Sequence, residues 1–318
     1  MATRADDPLR TLPTRDGVGA SCVGLPAGAW STVADFFAER FPDVDPATWR
    51  ERMDAGLVVD EASQPVAADA AFRPHTRLYY YRDVPAEAPV PFEAQILFQD
   101  EHLLAVDKPH FLPMVPGGRY LQHTLLVRLK QQLGIDTLVP LHRIDRETAG
   151  ITLFGIRPEE RDAYHALFRD RAVTKHYEAI APWRDDLALP LIRRSRMVEG
   201  TPFFRLREVD GEPNSETLVE QLEVAGPWAR YRLSPRTGRR HQLRVHMAGL
   251  GVPIRYDRFY PEVDNSPEDH ARPLQLLARA IGFTDPLTGA PRWFKSRRTL
   301  ALEAGGFIPS PACGRGLG

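Results

Sequence analysis

Residues 141–156 read LHRIDRETAGITLFGI. The second part, ITLFGI, is a short continuous apolar run of the kind that forms a buried strand, and the first part is a charged turn leading into it. Scaffolds commonly present reactive groups on such turns. Within the turn, Asp145 stands between two arginines, and the small residues up to Gly150 would let a substrate approach closely. The stretch therefore predicts a buried strand with Asp145 at its mouth.

The segments around this turn are mostly strand-like. QILFQDEHLLAVDKP (residues 95–109) predicts a hairpin. AVTKHYEAIA predicts a strand whose alternation places Lys175, Tyr177 and Ala179 on one face. A helix capped by Thr124 is also expected. Many strands with a few interspersed helices, in no βαβ rhythm, predict an α+β fold: a largely antiparallel mixed sheet with flanking helices.

The order of these segments along the chain predicts two domains. Three prolines between residues 85 and 95 indicate a stiff linker, because proline at that density forbids continuous helix or central strand. The predicted divisions are a tail (1–20), a small domain with two helices and a small sheet (21–84), the linker (85–95), a large domain (96–305) and a second tail (306–318).

Charge is distributed unevenly along the 318 residues. The formal net charge is −1, yet six arginines and no acid lie between Arg230 and Arg244. A neutral average with one basic stretch fits local phosphate binding better than a wholly basic surface. Two distant cysteines, Cys22 and Cys313, argue against a disulfide framework and for a reducing cytoplasm. With no apolar run of membrane length and no signal-like N-terminus, we expect a cytoplasmic protein that contacts no membrane.

Several common site patterns are missing from the sequence. It contains neither GxxxxGK[ST], nor GxGxxG, nor GxSxG. His241 and His246 are five apart, which does not match the i, i+4 spacing of a helical zinc pair. We therefore expect no metal and no cofactor. One carboxylate, basic clusters and an aromatic side chain remain, and they suit carboxylate-driven chemistry on a nucleic acid.

Each candidate residue also has a purely structural interpretation. Asp145 could be a surface aspartate paired with a neighbouring arginine. Tyr177 could be a core aromatic, although its ring could equally stack on a base, with Lys175 nearby for a phosphate. The arginines around Gly238 could be a solvated helix start, a phosphate site, or in part a partner for a buried carboxylate.

Four motifs carry a resemblance to a known family. HRIDRETAG resembles the HRLDxxTSG motif of the RluA-type pseudouridine synthases, and DKPHFLPMVP resembles their Lys-Pro motif. KHYEAIAP is similar to KxYxAxxxG, and GRRHQLRVHMAGLGVPIRYDRFY to GRxHQxRxHxxxxGxPIxGDxxY. The motifs follow the family's order across residues 96–298. The first domain resembles, more weakly, the small α/β RNA-binding domain that often precedes this catalytic domain.

The resemblance implies a function and assigns residues to it. The implied function is isomerisation of uridines in ribosomal or transfer RNA to pseudouridine in a central RNA-binding cleft, by a monomer. Asp145 would be the catalytic aspartate, Tyr177 the ring that stacks on uracil, and Arg244 the partner of the aspartate. The residues expected to contact RNA are Arg143, Lys108, Lys175, Arg236, Arg239, Arg240 and His241.

The sequence departs from the family pattern at three places. Ala149 replaces the usual serine, and APW stands in place of the glycine that ends the tyrosine motif. Arg255 and Tyr256 bring charge and bulk where the family has a glycine before Asp257, which affects the shape of that loop.

Two other classes of function stay open at this point. The chain could be a non-catalytic RNA-binding protein on the same scaffold, against which the intact set of Asp145, Tyr177 and Arg244 argues. It could also be an RNA hydrolase with paired carboxylates, for which Asp107, Asp145 and Asp257 are the candidates.

Overall fold

The computed structural model describes residues 12, 14–82, 87 and 89–302. The expected C-terminal tail, 306–318, and parts of the N-terminal tail and linker lie outside the described residues. Contacts divide the chain into two compact units: Met1–Ala88 with Val115–Thr137, and Pro89–Met114 with Leu138–Gly318. Residues 115–137, which we expected in the large domain, thus group with the first unit.

The first unit is built on a three-stranded antiparallel sheet and helices. Thr32 caps the first helix in a capping box with Asp35, and Phe36, Phe37 and Trp49 lie in the core. The strand order is β1-β3-β2. The elements are β1 (Ser21–Gly24), α1 (Val33–Arg40), α2 (Pro46–Asp54), β2 (Val58–Val59), β3 (Arg77–Tyr80) and α3 (Leu125–Leu133).

Helix α3 follows its sequence signals. Thr124 accepts a hydrogen bond from the backbone N–H of Val127 at its start, and Gly134 ends it in the left-handed region with φ 67°. The cap predicted at Thr124 is therefore confirmed.

The second unit contains one large sheet of eleven strands. Nine of them follow the order β10-β9-β11-β12-β8-β13-β7-β5-β4, and β14 and β6 pair with β13 and β7. The strands are β4 (Gln95–Gln99), β5 (Leu103–Lys108), β6 (Val139–Pro140), β7 (Ala149–Gly155), β8 (Thr174–Pro182), β9 (Leu191–Glu199), β10 (Leu206–Val209), β11 (Ser215–Ala225), β12 (Trp228–Pro235), β13 (Leu276–Thr284) and β14 (Pro291–Lys295).

Among the named strands, one pairing is parallel, that of β13 with β7, and the others are antiparallel. The mixed, largely antiparallel sheet expected from the sequence is confirmed.

Two helices cover this sheet. α4 (Arg161–Arg169) follows a short 3-10 turn and buries Tyr164 against a cluster that includes Leu103 and Leu153. α5 (Gln242–Gly249) packs Leu243 and Met247 on a second cluster formed with residues of β8 and β12. No helix in the described part of the chain is both long and apolar enough to cross a membrane.

The small residues after Asp145 explain the parallel pairing of β7 with β13. Gly150 has φ 114°, and a Cβ atom there would lie 2.2 Å from the carbonyl oxygen of Ala278 on β13. Ala149 is completely buried in a core cluster. The expectation that these residues leave room for a substrate is wrong, because the space is filled by the neighbouring strand.

Candidate active site

The sheet brings the sequence motifs into one row. Tyr177 on β8 is aligned with Ala278 on β13, which is aligned with Gly150 on β7, which in turn is aligned with Lys108 on β5. The turn carrying Asp145 leads directly into β7. Segments far apart in the sequence therefore converge at the start of this strand.

Arg244 is the centre of the site and is 1% exposed. It projects from α5, and its Nε and Nη2 donate to the two carboxylate oxygens of Asp257 at 2.8 and 2.6 Å. Asp257, which is 0% exposed, also accepts hydrogen bonds from the backbone N–H groups of Phe259 and Tyr260. Two-pronged arginine–carboxylate contacts fix orientation as well as charge. The guanidinium is therefore locked in one position.

Asp145 contacts the same guanidinium from the other side. Its Oδ2 accepts from Nη1 of Arg244 at 3.4 Å, a long contact, and its Oδ1 lies 3.9 Å from Nε2 of His241. The Asp145 side chain is 23% exposed. It is therefore held near a fixed cation while one edge of the carboxylate stays accessible.

Arg244 remains a cation under all ordinary conditions. Burial acts to lower its pKa, but the hydrogen bonds and charge of Asp257, helped by Asp145 and Glu147, outweigh burial and raise the pKa. The rings of Phe259 and Tyr260 lie 4.7 and 5.6 Å from its central carbon.

Sequence reasoning missed two carboxylates of this cluster. Glu147 lies 3.7 Å from Nη1 of Arg244 and accepts from Nε of Arg146 at 3.2 Å. Asp257 had been considered only as half of a hydrolytic pair. Its signal was present, since Asp257 and Tyr260 fill the Asp and Tyr positions of the quoted PIxGDxxY motif.

The backbone conformation of Tyr256, the residue before Asp257, shows why the family motif has a glycine at this position. It adopts φ 63°, in the left-handed region that glycine enters at no steric cost. The side chain is partly exposed, and the guanidinium of Arg255 lies over its ring at 4.8 Å. This chain therefore keeps the turn geometry while adding an aromatic surface to it.

Tyr177 is half-buried and packs, as Ala179 does, on the cluster beneath α5, so the shared face predicted for the two residues is confirmed. Burial raises the pKa of its hydroxyl, and the negative charge of Asp145 raises it further. The phenol therefore stays protonated and can donate a hydrogen bond.

His241 lies inside the site. Its side chain is largely buried, and Nδ1 is 3.0 Å from the hydroxyl of Tyr260. Burial lowers its pKa although the charge of Asp145 opposes this, so the ring is neutral at pH 7. The structure places His241 against Asp145, whereas we expected an RNA contact.

Lys108 cannot reach a phosphate in this structure, because it is completely buried. Its Nζ donates to the carbonyl oxygens of Pro109, Leu112 and Arg146 at 2.9, 2.9 and 3.0 Å. The expected RNA contact of Lys108 is therefore wrong. Its role is to hold the backbone of the turn that carries Asp145.

The remaining basic residues differ in their surroundings. Arg143 is exposed. The exposed arginines near the start of α5 are Arg236, Arg239 and Arg240. Lys175 is half-buried, and its Nζ donates to the carbonyl oxygen of Thr237 at 3.4 Å, beneath the turn that leads to these arginines.

The paired-carboxylate alternative finds no support in this geometry. Asp107 is completely buried and accepts from the hydroxyl of Ser296 and the backbone N–H of Arg297, both at 2.8 Å. The carboxylate of Asp257 is also buried, and it is bonded to Arg244. Neither carboxylate is accessible to activate a water molecule beside Asp145.

Comparison with protein families gives one match, to RNA pseudouridylate synthases, over residues 102–249. This segment contains the Asp145 turn, the Tyr177 strand and Arg244.

Curated proteins of the same type are similar over most of their length. An uncharacterized RNA pseudouridine synthase of Synechocystis is 31% identical over 233 residues, which are 71% of this chain and 78% of that protein. The dual-specificity RNA pseudouridine synthase RluA of Escherichia coli is 35% identical over 209 residues, or 63% of this chain and 91% of that protein.

Solved structures agree on the fold. Human RNA pseudouridylate synthase domain containing 1 superposes with a TM-score of 0.53 at 22% identity, covering 65% of this chain and 84% of that one. Human RNA pseudouridylate synthase domain containing 4 gives a TM-score of 0.50 at 25% identity, covering 65% and 88%.

Proposed function

The chain belongs to the RluA-type RNA pseudouridine synthases, and from this premise we propose that Asp145 is the group that isomerises uridines in structured ribosomal or transfer RNA. The observation that carries the proposal is the asymmetry around Arg244. This cation is locked by the buried Asp257 and holds the accessible Asp145 at 3.4 Å.

The reaction breaks the N1–C1′ bond of uridine, turns the uracil and joins C5 to C1′. Product and substrate have the same atoms, so the isomerisation consumes no co-reactant. Asp145 acts at the ribosyl uracil as a carboxylate, by attack on C1′, by addition to the base, or by removal of a ribose proton. Each route needs the acid as a carboxylate, and Asp145 lies beside the fixed positive charge of Arg244.

Tyr177 retains the detached uracil in this proposal. Its ring, on the strand beside the Asp145 turn, offers a face on which the base stacks. Its hydroxyl, whose pKa is raised by burial, stays protonated and donates a hydrogen bond; as a neutral phenol it does not accept the C5 proton, which needs a separate base.

RNA reaches the site with its target base out of the stack, because a duplex would hide C1′ and C5 from the protein. We assign Arg143, Arg236, Arg239 and Arg240 to phosphate contacts, supported by their exposure. Lys175 supports the turn preceding Arg239. We further propose that residues 21–84 bind RNA and that the protein is a cytoplasmic monomer without cofactor.

The test is conversion of uridine by the purified chain. Incubation with total RNA from a strain lacking the gene, followed by pseudouridine mapping, is expected to restore specific sites absent from that strain's RNA. RNA that binds without any conversion would instead identify a non-catalytic RNA-binding protein, and strand cleavage would identify a hydrolase.

A further inference from the structure

A small cavity beside Arg244 contains an unexpected acid. The cavity measures about 50 Å³, and the charged residues in its lining are Arg146, Arg244, Arg258, Arg272, Glu147 and Glu268. Four arginines suit a polyanion. The carboxylate of Glu268 repels one, and this residue has no part in the reaction proposed above.

Glu268 forms a two-pronged ion pair with Arg146. Nη1 of Arg146 donates to Oε2 of Glu268 at 3.2 Å, and Nη2 donates to Oε1. The two side chains are 22% and 21% exposed. Arg146 follows Asp145 directly, and Lys108 holds its carbonyl oxygen. The guanidinium is therefore an anion site on the turn that carries the proposed catalytic carboxylate.

The segment carrying Glu268 lies outside the helices and strands, and Nη2 of Arg258 donates to its carbonyl oxygens at Asp264 and Ser266. Residues 261–272 form neither helix nor strand and are mostly exposed, and they carry four acids within eight residues, Glu262 to Asp269. His270 anchors the segment, its ring 4.9 Å from that of Phe111. Glu147, the other acid on Arg146, belongs to the same turn and also contacts the buried Arg244. The Glu268 carboxylate also lies 3.4 Å from Nε2 of His270 on its own segment, and it can leave Arg146 without unpacking the sheet.

We propose that Arg146 binds a backbone phosphate of the RNA substrate and that the Glu268 carboxylate occupies this position in the free protein, so that RNA displaces it. Carboxylate and phosphate both present two oxygens to the arginine fork, so one anion replaces the other with the same geometry. Binding then includes the cost of breaking the Glu268 contact. The proposal rests on the proposed function only in taking RNA as the ligand.

The experiment measures the affinity of a fluorescently labelled RNA hairpin with a uridine-containing loop. Glu268→Gln keeps the shape of the side chain and removes its charge. Because a partly exposed ion pair is worth at most about 1 kcal/mol, we expect the variant to bind the hairpin about two- to fivefold more tightly. Arg146→Gln is expected to weaken binding and to flatten its salt dependence by about 0.7 log–log units, the value for one contact with a single strand.

Two controls isolate the effect. Glu101→Gln removes a carboxylate from another partly exposed arginine pair, with Arg157, and reports the general effect of one lost negative charge. In the Arg146→Gln background, Glu268→Gln is expected to raise RNA affinity by no more than that general effect, because the arginine that would bind the phosphate is absent.

Glu268→Gln overturns the proposal if its affinity equals that of the Glu101 control, or falls while the melting temperature is unchanged. If the variant is less stable, the Arg146→Gln salt slope decides alone, and an unchanged slope rejects the phosphate contact. Absence of pseudouridine formation by the wild type refutes the proposed function without affecting these binding results.

Discussion

Two turns approach Arg244 from opposite sides, and they differ in how completely they enclose their aspartate. Asp257, between Tyr256 and Phe259, is 0% exposed and accepts four hydrogen bonds, two from the guanidinium and two from backbone N–H groups. Asp145 is 23% exposed and makes one long contact with the same guanidinium.

This difference in exposure gives the two aspartates around Arg244 different roles, one structural and one chemical. A buried carboxylate with all its oxygens bonded has no capacity left for a substrate, but it fixes the arginine in place. A partly exposed carboxylate beside that arginine can still be reached by a substrate. Asp257 therefore fixes the position of Arg244, and Asp145 is the carboxylate that remains available to react.

Removing the shared cation should have the largest effect. Arg244→Met leaves Asp257 as a buried charge without its counterion, so we expect the free energy of unfolding to fall by about 3–5 kcal/mol. Pseudouridine formation should be lost as well, because Asp145 loses its fixed partner. Chemical denaturation and a turnover assay measure the two effects.

Arg244→Lys is the matched control for this variant. A point charge restores the ion pair but not the two-pronged contact, so it should recover part of the stability and little of the turnover. Full activity in the lysine variant, or a methionine variant as stable as the wild type, contradicts the central role given to the locked guanidinium.

Replacing Lys108, which supports the backbone of the turn that carries Asp145, should have a smaller effect on stability and turnover. Lys108→Met leaves two buried carbonyl oxygens and one partly buried carbonyl oxygen without their donor, and we expect a loss of about 1–3 kcal/mol in unfolding free energy with a partial loss of turnover. The partial loss follows because the backbone beside Asp145 is less well held.

The pH dependence of that loss gives a second readout. Burial, opposed by Glu147 and Asp145, lowers the pKa of Lys108 from 10.5 to about 7. Between those values the unfolded chain binds a proton that the folded chain does not, so the contribution of Lys108 to stability rises with pH. The difference in unfolding free energy between wild type and Lys108→Met should widen from about pH 7 upward. A difference that narrows over this range would exclude the depressed pKa.

The exposed arginines should have the smallest effect on the folded protein. When Arg236, Arg239 and Arg240 are replaced by glutamine, the free energy of unfolding should stay within about 0.5 kcal/mol of the wild-type value. RNA binding should weaken, and its log–log salt slope should fall by roughly 0.7–1 for each lost phosphate contact. Turnover at saturating RNA should persist. An unchanged salt slope would remove these residues from the RNA interface.

The sequence predicted the sheet well wherever apolar residues alternate or run continuously, as in β5 and β7. It missed β9, because the inward positions of that strand include Arg193 and Ser195, which hide the alternation. Their partners lie on other elements: Glu208 on β10, fifteen positions away, binds Arg193, and His246 on α5, fifty-one positions away, contacts Ser195. Hydropathy along one segment does not contain that information.

The site was predicted as a set of residues but not as an arrangement. Burial separates Lys108 from the exposed arginines, although all are basic in sequence, and only the tertiary structure decides this. Likewise, Gly150 is small because Ala278 approaches it from β13, a contact between residues more than one hundred positions apart.

The most direct test compares the two aspartates in the same two assays. Asp145→Asn should abolish pseudouridine formation while the unfolding free energy and RNA affinity stay close to wild type, because the amide keeps the turn but is neither nucleophile nor base. Asp257→Asn should lower the unfolding free energy by several kcal/mol, about as much as breaking a buried ion pair costs. Turnover by pure Asp145→Asn protein above a few per cent of wild type, or a larger stability loss there than in Asp257→Asn, would contradict the account.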